Sequence, residues 1–442
     1  MSRASRLSGF TTAISGDTDL NVGIVTAKQL NVNQSFTFTD INVTGIATAN
    51  NLNVTGVSTL GNVVVGGATT DLVVNGNARV TGILTVGTSS LTLNGDSSTI
   101  SGITTINSVS LPSTGALSNR NLIINGAMNV AQRATSVTAI TNSDYYTVDR
   151  FKTGVGSLGT WTVTQESDAP VGFSNSKKMT CTTADASPAA GGAVSINQRI
   201  EGQDLQHLNY GLSSAESLTL SFWVKSNKTG AASIDIQQQD NSNKLYSAGY
   251  TINAADTWEY KTITIPGDTA GVINDDNGIG IFIAWWLNSG STYTGGSHGG
   301  WKTMDNSSRN ANNLGVGGAV SDYFQLTGVQ LEVGTQATPF EHRSYGDDLV
   351  RCQRYYQHFA SGGAGTATNA NQTASAQCGI TFTHEMRDTP DITLGPFINN
   401  TNCNGVKSAS TIRKYGCLIQ AQSSASGRQY WYIGLSTASA EL

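Results

Sequence analysis

Between Thr39 and Asp144 the chain carries not one phenylalanine, tyrosine or tryptophan. No other feature limits its fold as strongly. Within that stretch one motif recurs: an apolar residue, Thr or Ser, Gly, an apolar residue, any residue, then Thr. Its copies are Val43-Thr44-Gly45-Ile46-Ala47-Thr48, Val54-Thr55-Gly56-Val57-Ser58-Thr59, Val80-Thr81-Gly82-Ile83-Leu84-Thr85 and Ile100-Ser101-Gly102-Ile103-Thr104-Thr105. The flanks alternate apolar and polar, as in Leu91-Thr92-Leu93-Asn94, which is the period of a strand. Asn75-Gly76 and Asn94-Gly95 are tight-turn dipeptides. Each unit therefore reads as a short strand and a turn. A strand of four or five residues with only Val, Ile and Leu offers a few kcal/mol at ~25 cal/mol per Å². Ordering its backbone costs about 1–2 kcal/mol per residue. One copy of the chain does not balance that account alone. Three copies wound about one axis do, because each apolar face then meets two others. The expectation is an intertwined homotrimeric β shaft over residues 20–117, with a single-chain β-solenoid as the rival arrangement.

Composition agrees with an all-β chain. Charged residues make up 12%, about half the usual share, and glycine is 49 of 442. Gly, Asn, Thr and Ser in place of helix formers favour strands and turns, and the regular return of Val, Ile and Leu opposes a disordered polar chain. A net charge of −5 gives no electrostatic handle on nucleic acid. No segment approaches the ~20 apolar residues of a membrane span, so no membrane insertion is expected. The start, MSRASRLSGF, lacks the apolar core of a signal peptide. Five widely spaced cysteines, without CxxC or CxxH spacing, read as reduced thiols in a protein made and assembled in a cytoplasm, with no zinc and no cofactor.

The character of the chain changes at residues 118–151, SNRNLIINGAMNVAQRATSVTAITNSDYYTVDRF, just after the loop chemistry of Pro112-Ser113-Thr114-Gly115. Residues 119–133 and 144–151 resemble the opening of a globular domain found in tail-fibre and other receptor-binding proteins of tailed bacteriophages, particularly phages of marine cyanobacteria. Residues 326–356, LTGVQLEVGTQATPFEHRSYGDDLVRCQRYY, resemble the close of the same domain. The resemblance implies a virion protein. Residues 1–19 would be a peptide attaching it to a tail, baseplate or adaptor protein, and the C-terminal domain would lie farthest from the particle. It also implies adhesion to a host-surface glycan or protein. The alternatives are a purely structural fibre or collar component and a polysaccharide-degrading tailspike.

Residues 118–345 alternate strand patterns with Gly, Asn, Asp and Ser connections. Strands are expected at 146–151, 160–165, 193–199, 217–225, 232–237, 260–265, 279–284 and 323–332, enough for a jelly-roll-like β-sandwich. LTLSFWVKSN (218–227) and WEYKTITIP (258–266) resemble strands of carbohydrate-binding-module-like jelly rolls, a scaffold that hosts many functions. Ser344 and Asp347 are candidate N-caps, and Leu349, Cys352, Tyr356 and Phe359 share one helical face, which predicts a connecting helix over residues 346–359. Residues 360–442 form the expected small C-terminal β tip domain.

Glycan recognition needs exposed rings to stack on C–H faces and polar side chains to bond hydroxyls. Two stretches carry those ingredients. One is the loop AWWLNSGSTYTGGSHGGW (284–301), with Trp285, Trp286, Tyr293, His298 and Trp301. The other is RQYWY (428–432), where Tyr430 and Tyr432 share one face of a strand and Trp431 takes the other. Adjacent Trp285 and Trp286 must face opposite ways on a strand, which commits one of them to a core. Glycosidases need a pair of carboxyl groups across the scissile bond, and carboxylates are sparse, so the expectation is a binding protein rather than an enzyme. Asp275-Asp276-Asn277 reads as a solvated turn before a calcium site.

Overall fold

The computed structural model describes residues 118–240, 244–370 and 376–442. The expected attachment peptide (1–19) and repeat shaft (20–117), and with them the trimer argument, lie outside the described residues. What is described is almost entirely β, as expected: a two-sheet sandwich followed by a smaller, nearly closed barrel-like sheet.

The first sandwich sheet runs β1 (Ser136–Ile140), β3 (Thr160–Glu166), β4 (Ser176–Thr183), β12 (Tyr323–Val333), β6 (Leu218–Ser226) and β9 (Glu259–Ile265). The second runs β11 (Gly299–Thr303), β8 (Lys244–Ile252), β7 (Gly230–Gln238), β10 (Ile279–Ser289), β5 (Ala193–Glu201) and β2 (Lys152–Gly156). Every ladder is antiparallel. Strict alternation builds the core. Leu220, Phe222 and Val224 of β6 point inward, as do Ile281, Ile283, Trp285 and Leu287 of β10. Phe222 meets Trp285 edge to face, with ring centres 5.8 Å apart.

The two segments that carry the phage-fibre resemblance touch each other. Asn121 accepts from the N–H of Ile123 and of Leu331, and donates to the Val329 carbonyl. Glu341 accepts from the N–H of Asn119 (2.6 Å) and of Asn121 (2.9 Å). The opening of the domain is thus laced along its last strand.

Helix α1 (Tyr345–Gln353) is capped by Ser344, whose hydroxyl accepts from the Asp347 N–H at 3.1 Å. It is shorter than the expected 346–359. Tyr356 and Phe359 continue the 3.6-residue pattern only by coincidence of spacing. They belong to β13 (Tyr356–Ala367), where Tyr356 pairs with Ser439 and Phe359 with Ser436. The barrel-like sheet therefore begins at Tyr356. Its strands are β13, β14 (Ala376–Thr381), β15 (Asp391–Thr393), β16 (Phe397–Thr401), β17 (Cys403–Arg413), β18 (Gly416–Ser423) and β19 (Gly427–Ser439). The first expected strand, 146–151, is likewise displaced to β2, because Val148, Asp149, Arg150 and Phe151 are all buried together rather than alternating.

Charged groups join barrel to sandwich. Fully buried Arg150 pairs with Glu441, and its guanidinium lies 3.4 Å from the Tyr355 ring centre. Arg354 forks onto Glu201 at 2.9 and 2.7 Å. No helix among the described residues is long and apolar enough to cross a membrane.

Candidate functional site

An open, largely apolar cleft lies on the outer face of the first sandwich sheet. Because Phe222 and Val224 point inward, Trp223 between them must point out. β9 pairs with β6 so that Tyr260 stands opposite Trp223. Their ring centres are 5.3 Å apart with planes tilted by 48°. A second wall rises from two connections. The turn Pro170–Phe173, closed by the Phe173 N–H donating to the Pro170 carbonyl at 3.0 Å, delivers Phe173. The segment after β12 delivers Phe340 and His342. Phe173 packs edge to face on Phe340 at 4.9 Å and lies 5.2 Å from the His342 ring.

The walls meet over Gly328. β12 bulges between Thr327 and Gln330, and Gly328 takes a left-handed φ of +59° there. A Cβ at this position would lie 2.8 Å from Phe173 Cζ and from Trp223 Cδ1. Only glycine lets both rings close on the strand. The resulting cleft encloses about 690 Å³. Tyr260 remains 43% exposed, and Val171 stands fully exposed at the lip.

Among the described residues, the cleft lining holds no Asp, Glu, Lys or Arg. The charges around it are engaged. Lys225 Nζ meets Asp168 Oδ2 at 2.9 Å, and Trp258 donates to Asp168 Oδ1 at 3.2 Å. Burial alone would raise the Asp168 carboxyl; these hydrogen bonds outweigh it and hold the group below its ordinary value. Glu341 behaves alike: partial burial raises it, but the Asn121 N–H and the Arg343 guanidinium bring it below its ordinary value. Neither carboxyl is poised to donate a proton at neutral pH.

The expected loop of residues 284–301 is placed differently from a free binding loop. Trp285 is wholly in the sandwich core, as the inward residue of its pair. Trp286 points outward but is only 2% exposed. Residues 290–313 fold back over it. Tyr293 stacks 5.1 Å away, the Arg309 guanidinium lies 4.9 Å from its ring centre, and its Nε1 donates to Asp235 at 3.1 Å. Asp235, buried on the same outer face, also receives Arg309 Nε at 2.7 Å. An apolar strip and a buried carboxylate on that face require a cover, and the loop supplies it. Trp301 is half-buried, wedged by Tyr210 and Tyr246, and donates to the Pro266 carbonyl. His298 sits 3.5 Å from the Ser233 hydroxyl, and burial, then Lys302, lowers its pKa. Neither Trp285 nor Trp286 can stack on a ligand in this arrangement. The Asp276 carboxylate caps its own turn through the Gly278 N–H, and among the described residues no group of metal-ligating side chains converges.

On the barrel, alternation places the RQYWY residues as read. Trp431 is 1% exposed and belongs to the core, so it drops out as a contact residue. Tyr430 and Tyr432 stand outside, 38% and 57% exposed. The Gly362-Gly363 pair of β13 seats both kinds of ring. A Cβ on Gly363 would lie 2.7 Å from the Trp431 ring inside, and one on Gly362 would lie 2.5 Å from the Tyr432 ring outside. Tyr432 thus rests against the β13 backbone. Asn399 of β16 is its other ladder partner.

Trp223, Tyr260, Phe173, Phe340 and His342 were absent from the sequence-based candidates. Strand alternation carried the signal for the first two: once Phe222 and Val224 are core, Trp223 is a large exposed ring. Nothing local links it to Phe173 or Phe340, which are more than a hundred residues apart from each other.

No family model matches the chain, and no curated protein matches it. Solved structures do. One is the enzymatically active domain of bacteriophage CBA120 tailspike protein 4, with 16% identity over 48% of this chain and a TM-score of 0.26. The match spans only 21% of that chain. Another is a family 11 carbohydrate-binding module of a Clostridium thermocellum cellulosomal cellulase, with 13% identity over 46% of this chain and 99% of the module, TM-score 0.24. A third is a family 61 module solved with β-1,4-galactotriose, with 9% identity over 48% of this chain and 99% of the module, TM-score 0.24. None of the three reaches a TM-score of 0.5.

Proposed function

We propose that this chain is an adhesive fibre protein of a bacteriophage virion, which holds the particle to a host cell by binding surface glycan in the cleft between Trp223 and Phe173. The observation that carries this reading is the cleft itself: rings on two walls, open to solvent, closed over a glycine, with no Asp, Glu, Lys or Arg in its lining among the described residues. Sugars present flat C–H faces to such rings and hydroxyls to groups such as Ser221 and Thr262. A purely structural fibre would have no use for an open aromatic cleft of this size, since exposed apolar patches mark contact sites. The role is binding without cleavage. Glycoside hydrolysis requires a carboxylic acid whose pKa is raised so that it can donate a proton, whereas Asp168 and Glu341 beside the cleft are held low.

In this reading the repeats of residues 20–117 form a trimeric shaft, residues 1–19 engage the tail or baseplate, and several fibres acting together turn weak contacts into firm attachment. The test is binding of the full-length protein to surface polysaccharide extracted from a susceptible cell. Tyr260 lies on edge strand β9 and is substantially exposed, so Tyr260→Ala should fold normally and bind at least ten times more weakly. Equal binding by the variant would remove the cleft from the account.

A further inference from the structure

The cleft has two walls of carbon. Trp223 and Tyr260 form one, Phe173 and Phe340 the other, and Val171 extends the second wall into solvent. Polar groups along it are few. The Thr338 hydroxyl is already committed, donating to Glu332 at 2.6 Å. Ser221, Thr262 and the His342 ring are the remaining side-chain partners, with the Tyr260 hydroxyl at the rim. A hydroxymethyl group packed against the rings would bury a hydroxyl that these walls cannot satisfy, and a polar group left unpaired weakens binding.

A negatively charged sugar fares worse. Cations around the cleft are already paired: Arg120, which donates to the lining Thr338 and Pro339, with Glu332 at 3.6 Å, Lys225 with Asp168 at 2.9 Å, Arg343 with Glu341 at 3.0 Å and Lys261 with Glu259 at 2.6 Å. A carboxylate entering between the rings would lose its water and find no free positive partner. A group that is both compact and apolar fits the space between the walls.

We propose that the cleft selects an uncharged sugar that carries a methyl group, the chemistry shared by 6-deoxyhexoses and N-acetylhexosamines. The methyl packs on the Trp223 and Phe173 rings where the walls open outward from Gly328, and the Ser221 and Thr262 hydroxyls bond the ring hydroxyls. This inference rests on the glycan-binding reading above and adds the class of sugar to it.

The experiment is calorimetry or saturation-transfer NMR on the full-length protein with short oligosaccharides of rhamnose, N-acetylglucosamine, glucose and glucuronic acid. At least one of the two methyl-bearing probes should bind ten or more times tighter than the glucose probe, and the stronger of the two identifies the source of the methyl. The glucuronic acid probe should be the weakest. Val171→Asp, at a fully exposed position, should leave folding unchanged and weaken the preferred probe. Equal or tighter binding of the glucose or glucuronic acid probe overturns the selectivity while leaving glycan binding in place. Silence from all four probes also overturns it, and silence from the extracted polysaccharide as well removes the glycan-binding reading itself.

Discussion

Gly328→Ala is the sharpest perturbation of the cleft, because it adds one methyl group at the point where its walls converge. Two costs follow from the geometry. The backbone stays left-handed at φ +59°, which costs an L-residue about 1–2 kcal/mol. The new Cβ lies 2.8 Å from Phe173 Cζ and Trp223 Cδ1, roughly 1 Å inside ordinary contact. Trp223 is fixed in a central stretch of β6, paired on both sides by β12 and β9. Phe173 hangs from a turn, so Phe173 yields. It then loses its edge-to-face contact with Phe340, worth about 0.5–1.5 kcal/mol. The sum is a destabilisation of about 2 kcal/mol, read by urea unfolding of the full-length protein. Affinity for the extracted polysaccharide should fall tenfold or more, because the second wall no longer faces the first. A variant with wild-type affinity would show that Phe173 and Trp223 need not close on one ligand, and the two-walled cleft would lose its meaning.

Other outcomes follow from other parts of the molecule. Trp431→Ala should cost the barrel about 3–5 kcal/mol and shift its thermal unfolding, whereas Tyr432→Ala, an exposed ring, should change stability by less than about 0.5 kcal/mol. Arg309→Ala leaves Asp235 buried without its cation, and thermal unfolding should report a loss of about 3–5 kcal/mol, part of it recovered by adding Asp235→Asn. Full burial, with Arg133 adding to it, lowers the Lys177 ammonium to about 7. The unfolded chain keeps that proton to its ordinary value, so stability should rise between pH 7 and pH 9 by up to about 1.4 kcal/mol per pH unit, and be lost as pH falls through 7. Lys177→Met should flatten that slope in a pH series of melting curves; an unchanged slope would assign it to another group.

Much of the fold was legible because period-two alternation is local. Leu218–Ser226 and Tyr323–Val333 can be read from sequence to within a residue, whereas Ile279–Ser289 runs five residues past the expected end at 284, and Ser344 announces its helix through its own cap. The helix end was misread because Tyr356 and Phe359 satisfy two periods at once, and only the pairing of β13 with β19, some eighty residues away, decides between them. The candidate site was harder to see. The rings of residues 284–301 attract attention in sequence, yet buried Asp235 and the apolar strip of β10 draw that loop down as a cover. The cleft gathers residues from the 170–173 turn, β6, β9 and the segment after β12. Its one local mark is Trp223 flanked by core residues, and its assembly depends on strand order, which alternation does not reveal.

The most direct test of the central claim is the structure of the full-length protein, or of its globular part if that folds alone, with a bound oligosaccharide from the host surface. Sugar density is expected over the Trp223 and Tyr260 rings, with Phe173 on the opposite side. Density over Tyr432 on the barrel instead, with the cleft empty at saturating ligand, would contradict it.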